Sequence, residues 1–414
     1  MMSMIRKFLA ALAIIGLIVI SILWVVGSAV LYENPVAAPP VTTPRPLAPN
    51  SPAIEEKRVI LYGDLHVHTS YSLDAALFDT PAVRDTGYTA PADACDFARY
   101  CSALDFWSIN DHAEALAPWQ WQATREAVRQ CDAVTNPATP DLISFLGWEW
   151  TQGTTKPNPM THFGHKNVIF RDLGEQREPI RPIAAGNDST WRDMTRAPTL
   201  LRGLALLGMS KLDLSGYESV AAHLQSAGET DDCQQADVRD LPADCFEYAS
   251  TPAELYEKLD QWGFEALVIP HGLSWGTTNP AGADFAYQMD QHNQKYQRLL
   301  EINSGHGSSE RFEGFTRVTK NNAGDLECPE ATANFTPCCR QAGKITRNRC
   351  NTPDSAACEE EVASAMQRFI SKGFPRGRKL FEDTTLNDWE GCGQLQNSFQ
   401  PASEYVPRLS AQYN

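Results

Sequence analysis

"LYGDLHVHTSYSLD", Leu61–Asp74, sets His66 and His68 two residues apart at the end of a short apolar run, in a chain that has only nine histidines. On a strand, residues i and i+2 leave from the same face, so two imidazoles at this spacing can reach one ion. Taken alone, the pair reads equally well as polar residues in a loop. Asp74 follows after "TSYSL", close enough to fold back as an oxygen ligand.

The surrounding chain decides between the two readings. "RVILYGD" is strand-like and ends at the motif. "PADACDFARYCSA" reads as a helix, and "LDFWSINDH" as a strand ending at Asp111 and His112. "WQWQATREAVRQCDAV" is helical, and "LISFLGWEW" is a strand that reaches Glu149. "THFGHKNVIF" is a further strand with His162 and His165 near its beginning. "TPAELYEKLDQWG" carries a Thr251 cap, Pro252 at the first helical position, Glu254 at the capping-box position and Gly263 as a stop. "FEALVIPHG" then ends at His271, and "YQRLLEINSGHG" gives a sixth strand ending near Glu301 and His306. Strands alternating with helices predict parallel pairing through crossover connections. In a closed parallel barrel the chemistry gathers where the strands' C-terminal ends meet. Every candidate strand but one places a His or a carboxylate at or just past that end. This repetition, more than any single motif, predicts a site.

Mixed imidazole and carboxylate donors suit zinc, manganese or iron rather than calcium or magnesium. Carboxylates also bridge paired ions. Glu149 lies between Trp148 and Trp150, where a charge without a partner is costly, so a ligand role is expected. Asp111 reads as a helix cap for "AEAL" or as a ligand or supporting residue. His165 is preferred over His162 for one shared role, and His306, in "NSGHGSSE", as a phosphate-contacting loop or a turn. His223 and His292 are expected on the surface, and Trp107, Trp148 and Trp150 in the core.

"DLHVHTSYSLD", "NDHAE", the Glu after the third strand, "GHKNV" and "PHG" together resemble the PHP superfamily, named for polymerase and histidinol phosphatase domains. They resemble more closely a bacterial branch catalogued as a domain of unknown function. The resemblance runs from about Val59 to the C-terminus, with five motifs in order. It implies a distorted (β/α)7 barrel, an α/β fold, holding two or three divalent metal ions (Zn, Mn or Fe), with phosphoester hydrolysis as the reaction. By motif, it assigns His66, His68, Asp74, His112, Glu149, His165 and His271 as metal ligands. Asp111, Glu301 and His306 remain possible supporting or substrate residues, and no separate general acid is assigned. One departure stands out: such barrels finish with Asp-x-His on the last strand, and no Asp-x-His follows His292 here. After the helix "DSAACEEEVASAMQRFISKG" no seventh strand is evident, so a chain ending before the closing strand is expected.

The flanks and the composition bound the setting. Residues 1–32 open with Arg6 and Lys7, then run from Phe8 to Leu31 without a charge over 24 residues. That exceeds a signal-peptide core of roughly 7–15 residues and meets the ~20 of a spanning helix. The reading is an uncleaved transmembrane anchor with its basic end in the cytoplasm, and "GSA" at Gly27–Ala29 leaves a cleaved signal as the alternative. Residues 33–57 are Pro-rich and read as an extended linker. The hydrolase domain is expected over 58–414, with 171–250 as an insertion that shapes substrate choice. A net charge of −16 and the lack of a Lys/Arg block argue against a nucleic-acid partner. Eleven cysteines without a C-x-x-C suit disulfides on the exported, periplasmic or extracellular side. Cys233/Cys245 and the group Cys328, Cys338, Cys339, Cys350 and Cys358 are the expected places for them.

The expectation is therefore a membrane-anchored, metal-dependent phosphoesterase acting on a small-molecule phosphoester. Two alternatives remain: an amidohydrolase-type metal hydrolase, and an inactive, truncated membrane-anchored metal-binding protein.

Overall fold

In the computed structural model the described residues are 2–28 and, with gaps, 60–389. The gaps comprise 79–88, 136–139, 153–162, 187–189, 211–216, 272–290, 305–306, 309–317, 378–380, 385–388 and a few single positions. His162, His306 and the Pro-rich linker lie outside the described residues. The chain divides into two compact units, Met1–Thr151 with Asn167–Val268, and Gln152–Lys166 with Ile269–Asn414.

The first unit is built on β1 (Gly63–Val67), β2 (Phe106–Ile109), β3 (Ile143–Thr151), β4 (His165–Phe170) from Asn167 onward and, after β5 (Ile183–Ala184) and β6 (Glu247–Tyr248), β7 (Ala266–His271) as far as Val268. The sheet order is β1-β2-β3-β4-β7, a curled half-barrel in a mixed α/β fold. Its helices are α1 (Met2–Ser28), α2 (Leu73–Phe78), α3 (Pro91–Asp96), α4 (Pro118–Ala133), α5 (Thr190–Thr195), α6 (Thr199–Ser210), α7 (Tyr217–Glu229) and α8 (Pro252–Trp262). β1, β2 and β3 pair in parallel, with Gly63 opposite Phe106 and Trp107 opposite Ser144. α8 begins and ends as its sequence dictates: Thr251 Oγ1 accepts the Glu254 N–H at 3.2 Å, and Gly263 closes it in the left-handed region at φ 73°. Trp107, Trp148 and Trp150 are fully buried, as expected of core residues.

Three expectations need correction. β4 is not parallel to its neighbours. The Gln152 N–H, just past β3, donates to Gly164 O, just before β4, while Gly147 in β3 lies against Val168 O. At the other end the Arg171 N–H donates to Glu265 O ahead of β7. β4 therefore runs against both, and a reversed strand offers its first residues where its neighbours offer their last. Among the described residues, the sixth expected strand is also not part of the sheet. Asn303–Ser304 (β8) pairs with Gly307–Ser308 (β9) in a two-residue antiparallel ladder, while Leu299 and Ile302 are exposed. Finally, His223 is buried, not superficial, with Nε2 2.7 Å from Ala115 O; burial pushes its pKa down to about 4.

The segment expected as an insertion is tied into the first unit. β5 pairs with β6, and the Ala185 N–H donates to Glu114. Buried Arg181 meets Glu247 at 2.6 Å, which also takes Lys258 at 2.8 Å. Disulfides Cys95–Cys131 and Cys233–Cys245 brace this unit. Among the described residues no helix is long and apolar enough to cross a membrane; in α1 the side chains are described from Ala13 onward.

The second unit centres on α9 (Cys338–Arg349) and α10 (Ala356–Gly377), beside the hairpin β10 (Thr319–Lys320) and β11 (Leu326–Glu327). Phe369, Phe381 and Trp389 stack in its core with Val318, Ala342 and Ile370. Cys328–Cys339 and Cys350–Cys358 pin it, and Cys101 of the first unit is a free, exposed thiol.

Candidate metal centre

The site of the first unit sits at the C-terminal ends of β1, β2 and β3. The β1–β2 register slips between Asp64 and Val67, a bulge that re-aims the strand where His66 lies. His66 closes on His68 with Nε2 to Nε2 at 3.0 Å. The β2–β3 ladder continues one step beyond β2: the Glu149 N–H donates to Asp111 O, and His112 bridges to Glu149. Gly147 makes this approach possible, because a Cβ there would stand 2.5 Å from Val168 O and 2.9 Å from Ile109 O. Asp74 arrives from the first turn of α2, where its Oδ1 accepts the Ala75 N–H and the helix dipole favours a carboxylate.

Two triads result. His66 Nε2, His68 Nε2 and Glu149 Oε2 form a triangle with sides of 3.0, 3.0 and 3.2 Å. His68, Asp74 and His112 form the second, with His112 Nε2 3.2 Å from Asp74 Oδ2. Three ligands each about 2.1 Å from one ion lie about 3.0 Å apart at right angles and about 3.4 Å apart at tetrahedral angles. The sides of the first triangle fall in that range, so these three atoms are spaced to share one ion. Glu149 is buried, whereas His66 and His68 keep side-chain exposures of 14% and 23%, which leaves this corner open to a ligand from solvent.

Supporting groups fix how each ligand faces. Thr151 Oγ1 donates to Glu149 Oε1 at 2.7 Å and lies 2.6 Å from His112 Nδ1. Ser72 Oγ lies 2.7 Å from His68 Nδ1 and accepts the His112 N–H at 3.0 Å. Asp111 accepts from the Thr69 N–H and hydroxyl at 2.6 and 2.8 Å, so it clamps the loop after β1. It does not cap the short 3-10 turn Ala113–Ala115, and it joins neither triad. Glu114 Oε1 accepts the N–H groups of Thr151 and Ala185, both at 2.8 Å. Of these, Ser72, Thr151 and Glu114 were not singled out in the sequence. Thr151 stands two residues from Glu149 on one strand face, and Ser72 and Glu114 lie inside the quoted motifs; that proximity was the available signal.

The ionisable groups of the two triads shift one another. Burial alone would lower the pKa of His112, but Glu149 and Asp74 together raise it to about 10. Burial would raise that of Asp74, yet His112 and His68 hold it far below the carboxylate range. Burial pushes Asp111 up, and Glu114 up to about 7.

The second unit holds the other expected ligands that are described. His165 opens β4 and His271 ends β7; both are buried, with rings edge to face at a centroid distance of 5.5 Å. The Glu301 N–H donates to Pro270 O, which places Glu301 beside the end of β7.

A family model described as "Protein of unknown function (DUF3604)" matches residues 55–125. That span contains His66, His68, Asp74, Asp111, His112 and Glu114 and stops short of Glu149. No curated protein and no solved structure matches the chain.

Proposed function

We propose that the first unit carries a metal-dependent hydrolase centre whose substrate is a small phosphoester. The observation behind this reading is the triangle of His66, His68 and Glu149, with a second triad sharing His68. In this reading His66, His68 and Glu149 hold one divalent ion, and Asp74 and His112 hold a neighbouring position. A bound zinc, manganese or iron ion supplies a water acidified toward pKa ~7 and a Lewis acid for the phosphoryl oxygen. The Thr151 and Ser72 hydroxyls keep the imidazoles turned inward, and the exposed sides of His66 and His68 leave room for substrate. The resemblance of the motifs to PHP proteins favours phosphoesters over amides. It also assigns ligand roles to His165 and His271, whose burial as a histidine pair accords with ligation. We further propose that α1 anchors the chain and that the remainder is exported. Four disulfides among the described residues support an oxidising compartment.

The test is elemental analysis of the purified chain, joined to hydrolysis of phosphomonoester, phosphodiester and amide substrates with added Mn²⁺ or Zn²⁺. At least one tightly bound ion per chain, lost in His66→Ala and Glu149→Gln, is expected together with phosphoester turnover. Metal content unchanged by both substitutions would overturn the site. Turnover of amides alone would overturn the substrate class.

A further inference from the structure

A second helix shares the apolar surface of α1. α6, "TLLRGLALLGMS", meets α1 backbone to backbone. A Cβ on Gly27 would stand 2.0 Å from Thr199 O, and one on Gly203 would stand 1.9 Å from Leu23 O. These two contacts set the helices side by side and running in opposite directions. Close approach through small residues is how helices associate where no water drives them together.

The remaining faces of α6 are sorted sharply. Leu206 is buried with Val220, Ala221 and Leu224, with Val26 of α1 packed against them. Arg202 turns back toward the start of its helix, to Thr195 O and Thr199 Oγ1. Leu200, Leu201 and Leu204 point away from both, at 41%, 59% and 57% exposure. On α1, Ile14, Ile15 and the consecutive residues Leu17, Ile18, Val19 and Ile20 are all exposed. Apolar surface of this extent marks a binding face.

We propose that the leucine face of α6 lies in the outer half of a lipid bilayer, beside α1, so that two helices attach the protein to the membrane. This rests on α1 being the anchor. Lipid is the occupant because α1 is apolar on all sides, which suits a bilayer and not a one-sided protein groove. Its uncharged run of 24 residues exceeds the ~20 that span a bilayer, and Arg6 and Lys7 suit anionic headgroups at the cytoplasmic end. α6 fits one leaflet: 12 residues make a helix of about 18 Å, against a hydrocarbon core of about 30 Å. Its first residue lies at the exported end of α1, and Arg202 reaches back toward that end, as a basic side chain does when its charge must stay at the membrane surface.

The test uses the full chain, with Cys101→Ser to remove the free thiol, reconstituted in vesicles of phosphatidylethanolamine and phosphatidylglycerol. Single cysteines replacing Leu204, Ile18 and Asp237 carry an environment-sensitive fluorophore, with Leu200→Cys as a second α6 position should Leu204→Cys misfold. Asp237 is an aqueous control, half-exposed just before a turn and paired with Arg239. The labels at 18 and 204 are expected to emit blue-shifted and to be quenched several-fold more by lipid-borne nitroxide than by iodide, with the reverse at 237. A label at 18 in lipid with 204 in water would overturn the α6 face and leave the anchor standing. Both labels in water would overturn the two together.

Discussion

His112 is tied to Thr151 by a short hydrogen bond, Nδ1 to Oγ1 at 2.6 Å. The Thr151 hydroxyl has one proton, and it is given to Glu149 Oε1. It can therefore only accept from His112, which fixes the proton on Nδ1 and leaves Nε2, on the Asp74 side, to meet an ion. Outer partners of this kind are worth roughly 10–100-fold in metal affinity. Thr151→Val is expected to lose about that much in a calorimetric titration with Mn²⁺ or Zn²⁺, and Thr151→Ser to retain binding. Equal affinity in Val and wild type would remove Thr151 from the account.

The two triads share His68 alone. Removing it takes a ligand from both, whereas His66→Ala spares the triad with Asp74, and His112→Ala spares the one with Glu149. His68→Ala should thus show the largest loss of bound metal of the three. Similar losses throughout would indicate a single ion that needs every histidine.

The charge state of His112 gives a pH test in metal-free protein. Its pKa rises from 6.5 to about 10 on folding, because Glu149 and Asp74 outweigh burial. A group raised in this way contributes stability that is complete below the unfolded value and fades as pH climbs toward about 10. An ion must displace the same proton, so metal uptake near neutral pH should release it. Titrations in buffers of different ionisation enthalpy would detect the release, and His112→Ala should reduce it. No difference between buffers would contradict this protonation.

Glu114 titrates in a different window. Burial raises its pKa from 4.5 to about 7, although His112 and three backbone N–H groups oppose the shift. A carboxyl raised in this way costs stability as pH rises through that interval. Glu114→Gln keeps an oxygen for Thr151 and Ala185 and cannot ionise. Its stability relative to wild type should climb by roughly 3 kcal/mol between the ordinary carboxylate range and neutrality. Urea melts at several pH values check this, and a constant difference would refute it.

Much of this arrangement could be read from the residues themselves. His66, His112 and Glu149 were legible because β1, β2 and β3 are short apolar runs joined by helices of clear period, so each strand's end could be located. β4 escaped the parallel pattern because direction leaves no mark on an apolar run; the early position of His165 was the trace of it. His223 looked superficial in "AAHLQSAGE", yet α7 packs Val220, Ala221 and Leu224 inward, and the imidazole finds Ala115 O, a partner distant in sequence. "YQRLLEINSG" misled because its leucine and isoleucine suggest a buried strand, whereas Leu299 and Ile302 are exposed.

The disulfide Cys95–Cys131 joins α3 to α4 across a separation of 36 residues. Closing a loop of that size removes unfolded-state entropy worth about 4 kcal/mol, where native strain does not offset it. The bridge borders buried Arg99, which donates to Cys131 O at 2.9 Å and to Asp141 Oδ2 at 3.0 Å. Its Nη1 also faces the Cys95 and Cys131 sulfurs at 3.7 and 4.0 Å, but the bond to Asp141 runs through Nε, so the Arg99–Asp141 pair is expected to survive loss of the bridge. Replacing both cysteines by alanine should therefore lower unfolding stability by up to about 4 kcal/mol while metal affinity is kept, since neither residue touches His66, His68 or Glu149. Denaturant melts paired with metal titrations of the double variant read both quantities. A loss of metal binding at unchanged stability would reverse the assignment and make the bridge part of the site.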